Sequence, residues 1–166
     1  MRVNVSDIVK TEGAGKDVNF CDNLPELQEL DTSVEFKPSF EFTGRIVNLG
    51  GLLKLNGKLH FDFSSNCLRC LKRVETAIDV AVEENFVEIS KSDEVVDAYT
   101  FEVNTVDIDK PLLDNIILAL PMSVICSESC KGLCENCGTD LNLKNCSCDK
   151  SKIVDPRMGI LKDYFK

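Results

Sequence analysis

The sequence has little of what enzymes usually need. Its 166 residues include one histidine, His60, and neither a GxxxxGK[ST] loop nor a GxGxxG motif that follows a strand. Ser-His-Asp and Cys-His catalysis both depend on a positioned imidazole, and His60 falls on the polar side of an alternating stretch. Phosphate-binding loops of the nucleotide-binding folds are excluded as well. The sequence therefore predicts a protein that is not an enzyme.

Positive charge and long apolar runs are also scarce. The net charge is −9, and residues 1–125 carry 12 Lys/Arg against 22 Asp/Glu, which favours a protein partner with a basic surface over a nucleic acid. Residues 126–166 are nearly neutral, and their cations could reach RNA: Lys131, Lys144, Lys150, Lys152 and Arg157. No run of 18 apolar residues predicts a membrane span, and MRVNVSDIVK does not resemble a secretory signal. We therefore expect a cytoplasmic protein without a membrane or small-molecule partner.

Cysteine, by contrast, is abundant. The chain has nine cysteines, an odd number, and a reducing cytoplasm favours metal ligation over disulfides. Six lie within residues 126–148, where Cys134 and Cys137 form a CxxCG motif and Cys146 and Cys148 follow after eight intervening residues. A CxxC motif can direct two thiolates at one ion. Further candidate ligands are Cys126, Cys130, Cys67 and Cys70, whereas Cys21 stands alone as a small buried or free thiol.

The six clustered cysteines together with Cys67 and Cys70 are enough for one or two structural zinc ions. One arrangement uses Cys134, Cys137, Cys146 and Cys148 for a local site and joins Cys67 and Cys70 to Cys126 and Cys130. Another pairs Cys67 and Cys70 with Cys134 and Cys137, and spacing alone does not choose between them. The same thiols also allow a different function, a redox-responsive zinc protein in which oxidation releases the metal, with Lys131 and Lys144 favouring thiolates.

Hydropathy patterns predict an α+β fold. Residues 53–63 alternate strictly between apolar and polar, and a Gly-Gly turn joins them to a preceding strand, so a mainly antiparallel sheet that could close into a barrel is expected. Residues 74–83 alternate in the same way, and residues 109–120 show helical spacing that ends at Pro121. TEGAGKDVNF (11–20) is interpreted as a loop, and short helices are expected at Leu24–Leu30 and from Asp155 to the end. We expect a β-rich domain over 1–121 and a zinc-clipped, cysteine-rich segment over 122–166.

Three blocks of the sequence, taken in order, resemble the YceD family of large ribosomal RNA subunit accumulation proteins. They are CLRCL (67–71), IILALPM (116–122), and CKGLC (130–134) continued by CG, LN, CSC and DPR up to residue 157. The resemblance extends from about residue 40 to the end. It implies a cytoplasmic bacterial protein that supports accumulation of large-subunit ribosomal RNA through assembly or processing, without catalysis. A ribosomal protein or a precursor particle would then be the binding partner.

Overall fold

The computed structural model describes residues 1–22, 27, 34–90 and 97–148. Within these residues, a five-stranded sheet has the strand order β2-β3-β4-β5-β6. Its strands are β2 (Gly15–Asp22), β3 (Val34–Asn48), β4 (Leu52–Asn66), β5 (Arg73–Glu88) and β6 (Tyr99–Phe101). A short strand β1 (Arg2–Asn4) pairs with β7 (Thr105–Asp107), and helix α1 spans Asp109–Ala119.

The period-two pattern of β4 sets the inner and outer faces of the sheet. Its apolar positions are buried and its alternate positions carry lysine, histidine and aspartate on the outer face, as predicted. Gly57 interrupts the apolar series for a steric reason, since a Cβ at this position would lie 2.5 Å from Cζ of Phe42. Gly44, opposite Gly57 in the ladder, is crowded by the same ring. The two glycines therefore make room for an aromatic side chain in the core.

The predicted mainly antiparallel sheet is confirmed, but its closure into a barrel is wrong. Neighbouring strands from β2 to β5 pair antiparallel, and β6 joins β5 in parallel through only three residue pairs, beginning with Phe86 and Tyr99. Among the described residues, β2 and β6 are the free edges of this sheet. Strand β6 has only three residues, and the chain after it forms β7 and α1 rather than pairing with β2.

The prediction of a loop at residues 11–20 holds for residues 11–14 and is wrong from Gly15, where β2 begins. This strand pairs along its whole length with β3, from Gly15 opposite Val47 to Asp22 opposite Phe40. Among residues 15–21, Val18 is the one buried side chain, and the other positions of the strand are mostly Lys, Asp and Asn. The strand is held by backbone hydrogen bonds to β3, and the composition of the segment alone does not indicate this pairing.

Helix α1 covers one side of the core, as the helical spacing predicts. Leu112 and Ile116 are completely buried, and Asn115 Nδ2 donates to Glu84 Oε1 on β5 at 2.6 Å. The helix ends at Ala119, two residues before Pro121, which would interrupt its hydrogen bonding. This end returns the chain toward the turn between β4 and β5, where Leu68 N–H donates to Val124 O.

Two predicted helices cannot be compared with the structure. The region Leu24–Leu30, apart from Leu27, and the region from Asp155 onward lie outside the described residues. The division into 1–121 and 122–166 stays a prediction. In the part of the chain that is described, no helix combines the length and the apolar character needed to cross a lipid bilayer.

Candidate metal centre

The turn between β4 and β5 forms a compact CxxC knuckle, called here the first knuckle (residues 67–71). Cys67 follows the last residue of β4, and its N–H donates to Lys72 O at 2.8 Å. Leu71 N–H donates to Cys67 O at 2.9 Å, with Leu71 in the left-handed region at φ 60°. This closure directs the Cys67 and Cys70 thiols toward the same region, as a tetrahedral metal site requires.

The second knuckle (residues 134–138) repeats this backbone geometry. Gly138 N–H donates to Cys134 O at 2.9 Å, and Gly138 has φ 69°. Cys134 N–H donates to Thr139 O at 2.8 Å, so the knuckle is closed by the residues that follow it. The CxxCG motif thus forms the turn that the sequence predicts, with glycine at the left-handed position.

The segment after α1 is fastened to the first knuckle through Arg69. The Arg69 Nη1 group donates to Glu128 O at 3.1 Å and to Cys130 O at 3.0 Å, and Leu133 N–H donates to Arg69 O at 3.0 Å. Gly132 lies so close that a Cβ would be 2.9 Å from Arg69 O. These contacts place Cys130 beside the thiols of the first knuckle, although Cys130 and Cys67 are 63 residues apart in the sequence.

Eight of the nine cysteines thereby form two groups of four. The first group is Cys67, Cys70, Cys126 and Cys130, and the second group is Cys134, Cys137, Cys146 and Cys148. Within each group, all four sulfurs lie within 4.8 Å of one another. This is the first of the two arrangements that spacing left open; the structure does not bring Cys67 and Cys70 together with Cys134 and Cys137. Cys21 is an exposed free thiol outside both groups.

The sulfur separations fit a tetrahedral ion and not a disulfide. The Sγ atoms of Cys67 and Cys130 are 4.0 Å apart, those of Cys70 and Cys126 are 3.6 Å apart, and those of Cys134 and Cys146 are 3.4 Å apart. Zn–S bonds of about 2.3 Å in a tetrahedron place neighbouring sulfurs about 3.8 Å apart, whereas a disulfide holds them at about 2.05 Å. The donor set of each group therefore suits a thiophilic divalent cation, which would cross-link its four thiolates.

The two groups differ in burial. In the first group Cys67, Cys70 and Cys130 are buried, and they form a small core of their own with Val74 and Leu133 packed against it. In the second group no cysteine is buried, and Cys137 is exposed. Cys126, the fourth cysteine of the first group, is exposed. A metal in the first group would thus be more shielded from solvent than one in the second.

Hydrogen-bond donors surround the sulfurs of the first group. The N–H groups of Arg69 and Cys126 each donate to Cys67 Sγ at 3.4 Å, and Asn142 Nδ2 donates to Cys130 Sγ at 3.4 Å. Such donors stabilise thiolates and fix their orientation, as partners behind metal ligands commonly do.

Within each group, hydrogen bonding lowers the pKa of one thiol and raises that of another. Burial opposes ionisation of Cys67, but N–H donation by Cys126, Cys70 and Arg69 lowers the pKa of this thiol to about 6. Hydrogen bonding with Thr139 lowers the pKa of Cys137 to about 6. In contrast, hydrogen bonding to neighbouring cysteine sulfurs raises the pKa of Cys126 to about 12. For the same reason, a hydrogen bond between the Cys148 and Cys137 side chains raises the pKa of Cys148 to about 12. A divalent cation would displace the remaining protons, so metal binding should release them.

Sequence reasoning missed the residues that position the ligands. Asn142 lies in the loop of the second group, and no sequence signal indicates that its side chain reaches Cys130. Arg69 is one of the two middle residues of a CxxC motif, and the motif does not specify which residue types occupy these positions. Gly132 follows Cys130 by two residues and has a φ of 73°. Of these three residues, it is the one whose type, glycine, indicates a turn in the sequence. His60 lies on the outer sheet face, as predicted, with Nδ1 2.7 Å from Asp79 Oδ1.

Several proteins are similar to this chain. An uncharacterized protein of Mycobacterium tuberculosis is 35% identical over 106 residues, which cover 60% of this chain and 49% of that protein. The uncharacterized protein YlbN of Bacillus subtilis is 29% identical over 157 residues, or 78% of this chain and 90% of that protein. The chain thus spans about half the length of the mycobacterial relative. No solved structure gives a significant match.

The plant relatives have more informative names. A chloroplastic protein of Arabidopsis thaliana, named large ribosomal RNA subunit accumulation protein YCED homolog 1, is 37% identical over 68 residues. These residues cover 39% of this chain and 21% of that protein. The family model of the large ribosomal RNA subunit accumulation protein YceD matches residues 55–164, a span that contains both cysteine groups. Because this match covers more than half of the chain, the protein belongs to the YceD family.

Proposed function

We propose that the protein is a non-enzymatic ribosome biogenesis factor that supports the accumulation of large-subunit ribosomal RNA. It would act in the cytoplasm, by binding a ribosomal protein or a precursor particle during assembly or processing. The observation that carries this proposal is the family match over residues 55–164, since the family description concerns accumulation of this RNA. The printed names of the plant relatives support the same role.

We propose zinc as the ion of both cysteine groups, one ion in each. Four thiolates in a tetrahedron are a common structural zinc site, and the sulfur separations of both groups agree with it. The role of the first ion would be mechanical, because its ligands come from the β4–β5 turn and from the segment after α1. It would fix that segment on the sheet, while the second ion would shape the segment itself. Neither ion would need to take part in a reaction.

The outer face of the sheet supports a basic protein as the partner. Acidic side chains on this face include Glu41, Asp79 and Glu83, which are all exposed. Part of this charge is neutralised internally, for instance by Lys54 Nζ at 3.1 Å from Glu83 Oε2. With 22 acidic against 12 basic residues in positions 1–125, the remaining field is negative and would attract a basic ribosomal protein.

Depletion of the protein from its host cells tests the proposal. We expect the amount of large-subunit ribosomal RNA to fall relative to small-subunit RNA, and re-expression of the protein to restore it. Affinity capture from lysate should recover large-subunit precursor particles. Normal large-subunit RNA after depletion would argue against the proposal, and oxidation-dependent capture of unfolded proteins would support the thiol-switch hypothesis instead.

A further inference from the structure

The first knuckle has a leucine where its backbone favours glycine. Leu71 and Gly138 occupy equivalent positions in the two knuckles, with φ of 60° and 69° and the same 2.9 Å hydrogen bond to the first cysteine of each motif. In the left-handed region a side chain crowds the following carbonyl, whereas glycine does not. The fold of the knuckle alone would therefore favour glycine at position 71.

Burial does not explain this leucine either. The Leu71 side chain is 63% exposed, and that of Leu68 in the same turn is 65% exposed. Leu68 N–H donates to Val124 O, and Val124 is flanked by the fully exposed Met122 and by the 37% exposed Ile125. The first knuckle and the segment beside it thus present apolar side chains to solvent. We call Leu68, Leu71, Lys72, Met122 and Ile125 the knuckle surface.

The first knuckle and its flanking residues differ in charge from the acidic body of the chain. Residues 66–73 contain three cationic side chains and no carboxylate, although residues 1–125 as a whole are strongly acidic. Arg69 is bound to backbone carbonyls and Arg73 pairs with Glu35. Lys72, and Lys131 next to Cys130, have no ion pair within the described residues. The exposed carboxylates in the neighbouring segment are Glu128 and Glu135.

We propose that the knuckle surface binds a single-stranded segment of large-subunit ribosomal RNA. Lys72 of the knuckle surface and Lys131 of the neighbouring segment would contact phosphates, while Leu68, Leu71 and Met122 would pack on the faces of unpaired bases or riboses. The inference rests on the proposed function and adds the contact surface to it. An RNA strand offers both the anionic charge and the apolar faces that this surface matches, and the acidic sheet would repel RNA from the remaining body.

The test is RNA binding by the zinc-loaded chain of 166 residues. A fluorescently labelled transcript of the large-subunit ribosomal RNA is titrated at several salt concentrations. The variants are Leu68→Ser, Leu71→Gly and Lys72→Glu, and the matched controls are Leu49→Ser at the opposite end of β4 and Lys58→Glu on the outer sheet face. We expect each variant to weaken binding at least fivefold and each control to stay within twofold. Lys72→Glu should also make the slope of log K against log salt shallower by about 1.

Leu71→Gly separates a binding role from a structural one. Because glycine relieves the left-handed strain, the melting temperature of this variant should equal or exceed that of the wild type while RNA binding falls. Unchanged RNA binding in all three variants, or no binding by the wild type, overturns the inference. Binding through these residues to an acidic protein, or to vesicles of phosphatidylglycerol and phosphatidylcholine in place of RNA, overturns it as well.

The same variants distinguish failure of the inference from failure of the proposed function. If depletion lowers large-subunit RNA and the Leu71→Gly and Lys72→Glu variants restore it fully, the function stands and the RNA-binding surface does not. If depletion leaves this RNA unchanged, the proposed function fails whatever the transcript does in solution.

Discussion

Asn142 connects the two cysteine groups through a single side chain. Its Oδ1 accepts Lys131 N–H at 2.8 Å, and its Nδ2 donates to Cys130 Sγ at 3.4 Å, although Asn142 itself belongs to the loop between Cys137 and Cys146. Loss of this contact should therefore affect ligand positioning in the first group, although Asn142 lies in the loop of the second group. We expect Asn142→Ala to weaken metal binding at the first group about tenfold, because loss of a partner behind a metal ligand typically has an effect of this size.

Competition with a chromophoric chelator measures this effect. Asn145→Ala is the matched control, since Asn145 is an exposed asparagine of the same loop. Asn142→Asp keeps the acceptor and the size of the side chain but places an anionic oxygen beside the sulfur, so it should weaken binding more than the alanine change. Equal affinities for wild type and Asn142→Asp would show that the contact does not support the ligand.

His60 gives a residue-scale prediction that depends on pH. A hydrogen bond to Asp79, with the charges of Asp79, Asp62 and Glu41, raises the pKa of the imidazole above 6.5. A raised pKa in the folded state means that the pair contributes stability below the unfolded pKa, and loses this contribution as pH rises through the folded pKa. The pair is exposed, so the contribution should be small.

NMR titration of the His60 ring protons checks this expectation. Asp79→Asn should lower the His60 pKa, whereas Asp62→Asn should lower it less, because Asp62 Oδ1 is 3.8 Å from Nε2 while Asp79 Oδ1 is 2.7 Å from Nδ1. An unchanged titration curve in Asp79→Asn would show that this hydrogen bond does not persist in solution.

At the scale of elements, regular periodicity was predictable and pairing between distant segments was not. Strand β4 has an apolar stripe that only Gly57 interrupts, and helix α1 has apolar residues at helical spacing, so the sequence locates both within a few residues. Among residues 15–21 of β2 one side chain, Val18, is buried, and the strand depends on backbone pairing with β3, so its composition resembles that of a loop. The cysteine grouping depends on the path of the chain after α1. The contacts of Arg69 fix this path, and no local sequence pattern predicts them.

The two groups should contribute unequally to stability. The first group joins Cys67 to Cys130 across 63 residues, whereas the second closes a local loop in which Cys134 and Cys146 are 12 residues apart. Cross-links over longer loops restrict the unfolded chain more. We expect the double variant Cys67→Ser/Cys70→Ser to lower the melting temperature by about 5 °C or more, because it also leaves hydroxyls in a buried site. Cys134→Ser/Cys137→Ser should lower it less.

Native mass spectrometry and chelator kinetics complete this test. Each double variant should retain one metal ion where the wild type retains two. Release from the wild type should show a fast phase from the exposed second group and a slow phase from the buried first group, and Cys134→Ser/Cys137→Ser should lack the fast phase. Identical melting temperatures, or one release rate in the wild type, would contradict unequal roles.

For the whole molecule, the relevant fact is that the described residues form two separate apolar cores. The larger core lies between the sheet and α1 and contains the buried phenylalanines, whereas Cys67, Cys70 and Cys130 form a smaller core with Val74 and Leu133 against it. A structural zinc ion contributes about 10–16 kcal/mol of apparent binding free energy that is coupled to folding. That energy should stabilise the smaller core, since the larger one has its own buried apolar area.

Removal of the metal should therefore unfold one part of the protein and spare the other. In the metal-free, reduced chain we expect the far-ultraviolet circular dichroism of the strands to persist. Trypsin should cut faster after Lys131 and Lys144, in the cysteine-rich segment, while cleavage after Lys58 in the middle of β4 stays slow. Mass spectrometry of the fragments identifies the sites, and zinc added back before digestion should restore protection. If chelation instead abolishes the strand signal together with protection at Lys58, the two cores form one cooperative unit and the metal holds the entire fold.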